Sequence, residues 1–217
     1  MAIDHDPRKT QAQQSREVLA EVVALGVAQG LFTVARTVGE EAGSSWRFVE
    51  VLTPDGLAFD LKAGSWNKES AISASVGGIK KDGLKVYLSD TARRKQEVSA
   101  SCSFTRGSAA ILKDLTRRVL AHPDGIAGAQ AVRTRWETLV AQRQRLRGHI
   151  AALSALGYTF RELPADETYS ARAWGPSGTE PRDLTVYENG RVTFEGSCDV
   201  SHFAGVIAVM REAPPEP

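Results

Sequence analysis

Cysteine is nearly absent from this chain of 217 residues, which holds only Cys102 and Cys198. That excludes a disulfide-stapled fold and a zinc site of the CxxC kind, and both residues read as small buried hydrophobes in a reducing compartment. Histidine is sparse too. His5, His122, His149 and His202 stand alone, with no HExxH or HxH pair, so no metal or other cofactor is expected. Residues 1–9 lack the basic and then apolar pattern of a secretory signal, and are expected to be disordered. Long apolar runs are missing as well. The longest, Val18 to Ala35, is interrupted by Glu21 and Gln29 and by Gly26 and Gly30, which favours a buried helix over a membrane span. A cytoplasmic protein with no membrane partner follows from these absences.

Recognisable catalytic spacings are also lacking. Ser65-Trp66-Asn67-Lys68 has the SxxK pattern but no SDN or KTG partner, and it reads better as a loop between strands. Asp166 and Glu167 are adjacent, which points their side chains apart and argues against a carboxylate dyad.

What the chain has in plenty is arginine, unevenly placed. Cut after residues 79 and 148, the three pieces carry net charges of −3, +9 and −5, which sum to the overall +1. A basic middle between acidic flanks points to an anionic partner or to pairing within the fold.

Periodicity sets the fold class. Thr10 to Gln29 reads as a helix and Leu31 to Val38 as a short strand. Trp46 to Thr53, the turn Pro54-Asp55-Gly56 and the alternating Leu57, Phe59 and Leu61 form a hairpin. Ile72 to Val76, Leu84 to Leu88 and Val98 to Phe104 alternate in the same way, so the first half reads as an antiparallel meander. Its wet face is mostly hydroxyls, with Lys85 and Tyr87 as the larger groups, and reads as a solvated β-surface or a flat docking platform.

Ser108 to His122 is expected to be a helix capped by Ser108 and ended by Pro123-Asp124-Gly125. A longer helix runs from Ala127 to Leu156, with Val132, Leu139, Leu146 and Leu153 repeating every seven residues. That seam fits a helix lying across a sheet, or alternatively the seam of a homodimer. Strands are expected at Thr159 to Leu163, Tyr169 to Trp174 and, around the turn Asn189-Gly190, Leu184 to Glu195. A last helix covers Ser201 to Arg211, before a frayed tail at 213–217. The fold class is therefore α+β, with antiparallel sheets packed against helices in two sheet-plus-helix units, 10–122 and 126–212, that break near Pro123 to Gly128.

The candidate site is basic. Thr105-Arg106-Gly107-Ser108 links a strand to a helix N-terminus, a favourable place for a phosphate or carboxylate, although a serine cap alone explains it equally. Arg93, Arg94 and Lys95 precede that strand; Arg117 and Arg118 lie on the following helix, and Arg143 and Arg147 one turn apart on the next. Together with Arg106 and Ser108 these residues are expected to contact phosphates of DNA or RNA without sequence preference, making a non-catalytic nucleic-acid-binding protein. The alternative is a protein-interaction, inhibitor or accessory protein of a bacterium or mobile element, with Tyr169, Trp174 and Tyr187 as its interface. An enzyme with an unrecognised site is the third reading.

Overall fold

In a computed structural model of the chain, the described residues are 10–38, 47–64, 71–88, 99–164, 166–175, 183–194, 205 and 208. They form an α+β fold of helices and antiparallel sheets in two compact units, residues 1–80 with 86–134 and residues 81–85 with 135–217.

The first unit begins with α1 (Gln11–Ala28). Thr10 and Gln13 close both ends of a capping box, the Thr10 side chain accepting from the Gln13 backbone and the Gln13 side chain from that of Thr10. Gly30, at φ +67°, ends the helix in a Schellman motif: its N–H reaches Val27 O and that of Leu31 reaches Gly26 O, each at 3.0 Å. The apolar run from Val18 to Ala35 is thus a helix, a glycine stop and the start of a strand.

Five strands follow in the order β1 (Thr33–Val38), β2 (Arg47–Leu52), β3 (Ala58–Ala63), β4 (Ala71–Val76) and β7 (Ser99–Ser103), each antiparallel to its neighbour. Alternation assigns Val49, Val51, Phe59, Leu61, Ile72, Ala74, Ala100 and Cys102 to one face, all buried. Val18, Leu19 and Val22 of α1 cover that face together with Ile111, Leu112 and Leu115 of α2 (Ser108–Leu115). A π-helical turn, Thr116–Leu120, continues the chain and adds Val119 and Leu120 to the same core.

The expected meander needs one correction. Leu84 to Leu88 does not join this sheet; β5 (Ile79–Lys81) and β6 (Leu84–Val86) make a separate hairpin, and β7 pairs directly with β4. Asp82 and Gly83 turn it with φ of 53° and 81°, the left-handed pair that a two-residue hairpin loop requires. Lys85 and Tyr87 therefore do not belong to the hydroxyl-bearing face.

Nor does Pro123 break the chain between helices. It opens α3 (Pro123–Ala155), where proline's missing N–H and fixed φ suit the first turn, and Asp124 adds a favourable charge there. His122 Nδ1 accepts from the Asp124 backbone at 3.3 Å. The two compact units divide inside this helix, between Thr134 and Arg135, where the sequence places the break at Pro123 to Gly128.

In the second unit, Leu146 and Leu153 are fully buried against Tyr158, Ala171, Ala173, Leu184 and Val186. The heptad seam is spent on the unit's own sheet, which removes those two leucines from any dimer seam. That sheet has the order β11 (Val192–Phe194), β10 (Asp183–Tyr187), β9 (Ser170–Trp174), β8 (Thr159–Phe160). Gly190, at φ +79°, completes the hairpin loop at Asn189-Gly190. Strand β8 is two residues long rather than the expected five, and pairs Thr159 with Trp174 and Phe160 with Ala173. The expected helix Ser201 to Arg211 lies outside the described residues except Gly205 and Ala208, both helical. Among the described residues no helix is long and apolar enough to cross a membrane.

Packing at the end of α1 yields a test. A Cβ on Gly26 would stand 2.1 Å from the ring of Phe32, which is buried and has little room to move. Gly26→Ala should lower the unfolding free energy in urea by about 1–3 kcal/mol through overpacking. An unchanged denaturation midpoint would show that the ring yields freely.

Candidate functional site

Strand β7 leads through a 3-10 turn, Phe104–Arg106, into α2. Ser103 Oγ lies 2.9 Å from Thr105 Oγ1 and accepts from the Thr105 backbone, which tightens the turn. Gly107 then takes φ +84° and ψ 141°, a conformation essentially restricted to glycine. It is Gly107, not Ser108, that occupies the N-cap, and no side chain caps the helix. Ser108 instead donates its hydroxyl to the carboxylate of Glu21 on α1. The expected anion position at this helix N-terminus is therefore taken by the protein's own carboxylate, for the same dipolar reason that a phosphate would favour it.

The arginines beside it do converge, on Asp114. Arg117 Nη2 reaches Asp114 Oδ1 at 2.8 Å, while Arg106 Nη1 and Arg118 Nη1 reach Oδ2 at 3.1 and 3.4 Å. Spacings of three and four residues bring Arg117 and Arg118 back to Asp114, and the turn before α2 brings Arg106. The Cys102 thiol also donates to Oδ2 at 3.3 Å. Asp114 is held well below the usual carboxylate range, by Arg117 first, then Cys102, with smaller help from Arg106 and Arg118. Burial and the Asp114 carboxylate together push the Cys102 thiol up, so it stays protonated and unreactive.

One carboxylate among three guanidiniums leaves an excess of two positive charges. Asp114 is only 13% exposed, whereas Arg106, Arg118 and Arg117 are 51%, 44% and 73% exposed. The patch therefore presents cations to solvent around a shielded anion.

The other basic candidates are elsewhere. Arg143 and Arg147 belong to the second unit, and Arg93, Arg94 and Lys95 lie outside the described residues, as does Ser65 to Lys68. Arg143 donates to the backbone carbonyl of Asp82, and its Nε is buried with no hydrogen-bond partner. Arg147 is exposed.

Sequence reasoning missed a groove in the second unit. It has a volume of about 860 Å³, and Arg143, Arg161, Glu162, Pro164, Arg172 and Trp174 stand in its lining. Its origin is the shortness of β8: after pairing through Phe160 the chain leaves β9, and Arg161 to Pro164 form one wall opposite Ala171 to Trp174. Pro164 has no N–H with which to continue the ladder. Arg172 and Trp174 alternate with the buried Ala171 and Ala173, so both face outward. The signal was present in the arginine and aromatic content of this stretch.

The three aromatic candidates separate accordingly. Trp174, 40% exposed, lines the groove, while Tyr169 and Tyr187 make an edge-to-face pair with centroids 5.4 Å apart. Arg191 lies over the Tyr187 ring at 4.2 Å, so Tyr187 is engaged within its own hairpin. Among the described residues no three or more His, Cys, Asp or Glu side chains gather where they could hold a metal.

Asp60 is a second group the sequence did not single out. It sits on the outer face of the five-stranded sheet, opposite Glu50 and Ser75, with Oδ1 buried and unpartnered and Oδ2 3.7 Å from Lys62 Nζ. Burial pushes its carboxyl up from 3.8 to about 6, against the pull of Lys62. No known protein family, characterised protein or solved structure matches this chain.

The Asp60 shift has a definite sign. The native carboxyl keeps a proton that the unfolded chain has lost, so its contribution to stability is full below pH 3.8 and is lost as pH rises through about 6. Asp60→Asn should flatten that stretch of the stability profile and raise stability at pH 7.5 by about 1–2 kcal/mol. Denaturant titrations across this pH range, with parallel slopes for both proteins, would contradict it.

Proposed function

We propose that this is a non-catalytic, cytoplasmic nucleic-acid-binding protein that contacts phosphates through exposed arginine side chains. The observation that carries the reading is the grouping of Arg106, Arg117 and Arg118 around the single shielded carboxylate of Asp114. Guanidinium groups suit this work because their forked donors match phosphate oxygens. Such contacts fix affinity, not sequence preference. The basic charge of residues 80–148 and the near absence of cysteine agree with it.

Tyr169 supports a second reading, since a tyrosine 56% exposed at the end of a strand suits a protein partner. Under that reading a complex recovered from lysate would survive nuclease and depend on Tyr169.

Salt dependence tests the first. With three phosphate contacts on duplex DNA, the association constant should fall about 40-fold between roughly 50 and 200 mM salt. Arg117→Glu combined with Arg118→Glu should weaken binding at low salt and flatten the salt dependence by about two contacts. Absence of binding at about 50 mM salt, or binding indifferent to salt, would overturn the proposal.

A further inference from the structure

The groove of the second unit differs in kind from the Asp114 patch. The patch is charge without a cavity, whereas the groove combines charge with a planar ring. Its volume of about 860 Å³ far exceeds what a lone phosphate needs and lies within the range of small-molecule sites. Arg143, Arg161 and Arg172 face a single acid, Glu162, in the lining. Arg143 is anchored through the Asp82 carbonyl, and among the described residues Arg161 has no ion-pair partner. Arg172 and Trp174 project to the same side of β9 from positions about 7 Å apart.

A ligand that satisfies this lining carries negative charge at one end and a flat aromatic system at the other, joined by a short linker. We propose that the groove holds an unpaired nucleotide of a single strand, with its base stacked on Trp174 and its phosphates held by Arg161 and Arg172. Stacking needs an open ring face, which a base inside a duplex does not offer, so the groove distinguishes single strands from duplexes. An acidic peptide would use the arginines but leave the ring without a planar partner. The polymer in this proposal rests on the nucleic-acid reading; the ring-and-phosphate recognition rests on the groove alone.

The experiment compares the full chain with Trp174→Ala, Trp174→Phe, Arg161→Glu and the double Arg117→Glu, Arg118→Glu variant. Fluorescence anisotropy would follow a labelled oligothymidylate of about 12 nucleotides, within the usual site sizes, and a duplex of the same length. Trp174→Ala should weaken single-strand binding about 5- to 100-fold and leave duplex binding unchanged. Trp174→Phe, which keeps a ring face, should recover most of the loss. Arg161→Glu should weaken the single strand more than the duplex, while the double variant weakens both. Thymidine monophosphate should compete for the single strand, and inorganic phosphate at equal concentration should not.

Equal single-strand affinity for Trp174→Ala and the wild type would overturn the groove and leave the nucleic-acid reading standing. So would equal losses for the alanine and phenylalanine variants, or competition by an acidic peptide and not by the nucleotide. If neither polymer binds while thymidine monophosphate still quenches tryptophan fluorescence, and Trp174→Phe removes that quenching, the nucleic-acid reading fails and the groove's recognition of a nucleotide survives.

Discussion

An antiparallel sheet with alternating side chains has one face that water must not reach, and both units are arranged around that requirement. In the first, α1 and α2 lie over the face that carries Val49, Val51, Phe59, Leu61 and Ile72. In the second, the seam of α3 at Leu146 and Leu153 covers Ala171, Ala173, Leu184 and Val186. Once each helix has turned its apolar stripe inward, its arginines have only the solvent side left. The basic character of residues 80–148 is thus displayed because the apolar periodicity is satisfied first.

Display alone does not gather charge. In the first unit Asp114 does so by drawing Arg106, Arg117 and Arg118 to one shielded carboxylate. In the second the gathering agent is backbone geometry, because β9 outlasts its two-residue partner and leaves an opening that Arg143, Arg161 and Arg172 line. The basic residues expected to form one series fall into two groups of different chemistry, with Arg147 in neither.

Features written in short stretches of sequence were legible. Thr10 with Gln13, the turn at Pro54-Asp55-Gly56 and the alternation of β2, β3, β4 and β7 each need only neighbours to be understood. The Asn189-Gly190 loop belongs with them. Pro123 was misread because proline stops one helix and starts another equally well, and the deciding factor is which side carries the continuing apolar stripe. Ser108 was misread because its partner, Glu21, is 87 residues away. The groove escaped for a related reason: its walls pair according to where β8 ends, and nothing local to Arg161 or Trp174 announces that end. Asp60 looked like one polar residue of an outer face, and only the packing around it reveals the cost of its charge.

The π-helical turn at Thr116–Leu120 holds one residue more than an α-helix of the same span, as the bond from Ala121 N to Thr116 O shows. Loss of one codon within it would restore a regular helix, yet rotate everything downstream by about 100°. Val119 and Leu120 would no longer both meet the core, and the approach to Pro123 would be re-aimed. Tolerance to insertion and deletion is therefore lowest in five residues that, read as letters, resemble any amphipathic helix.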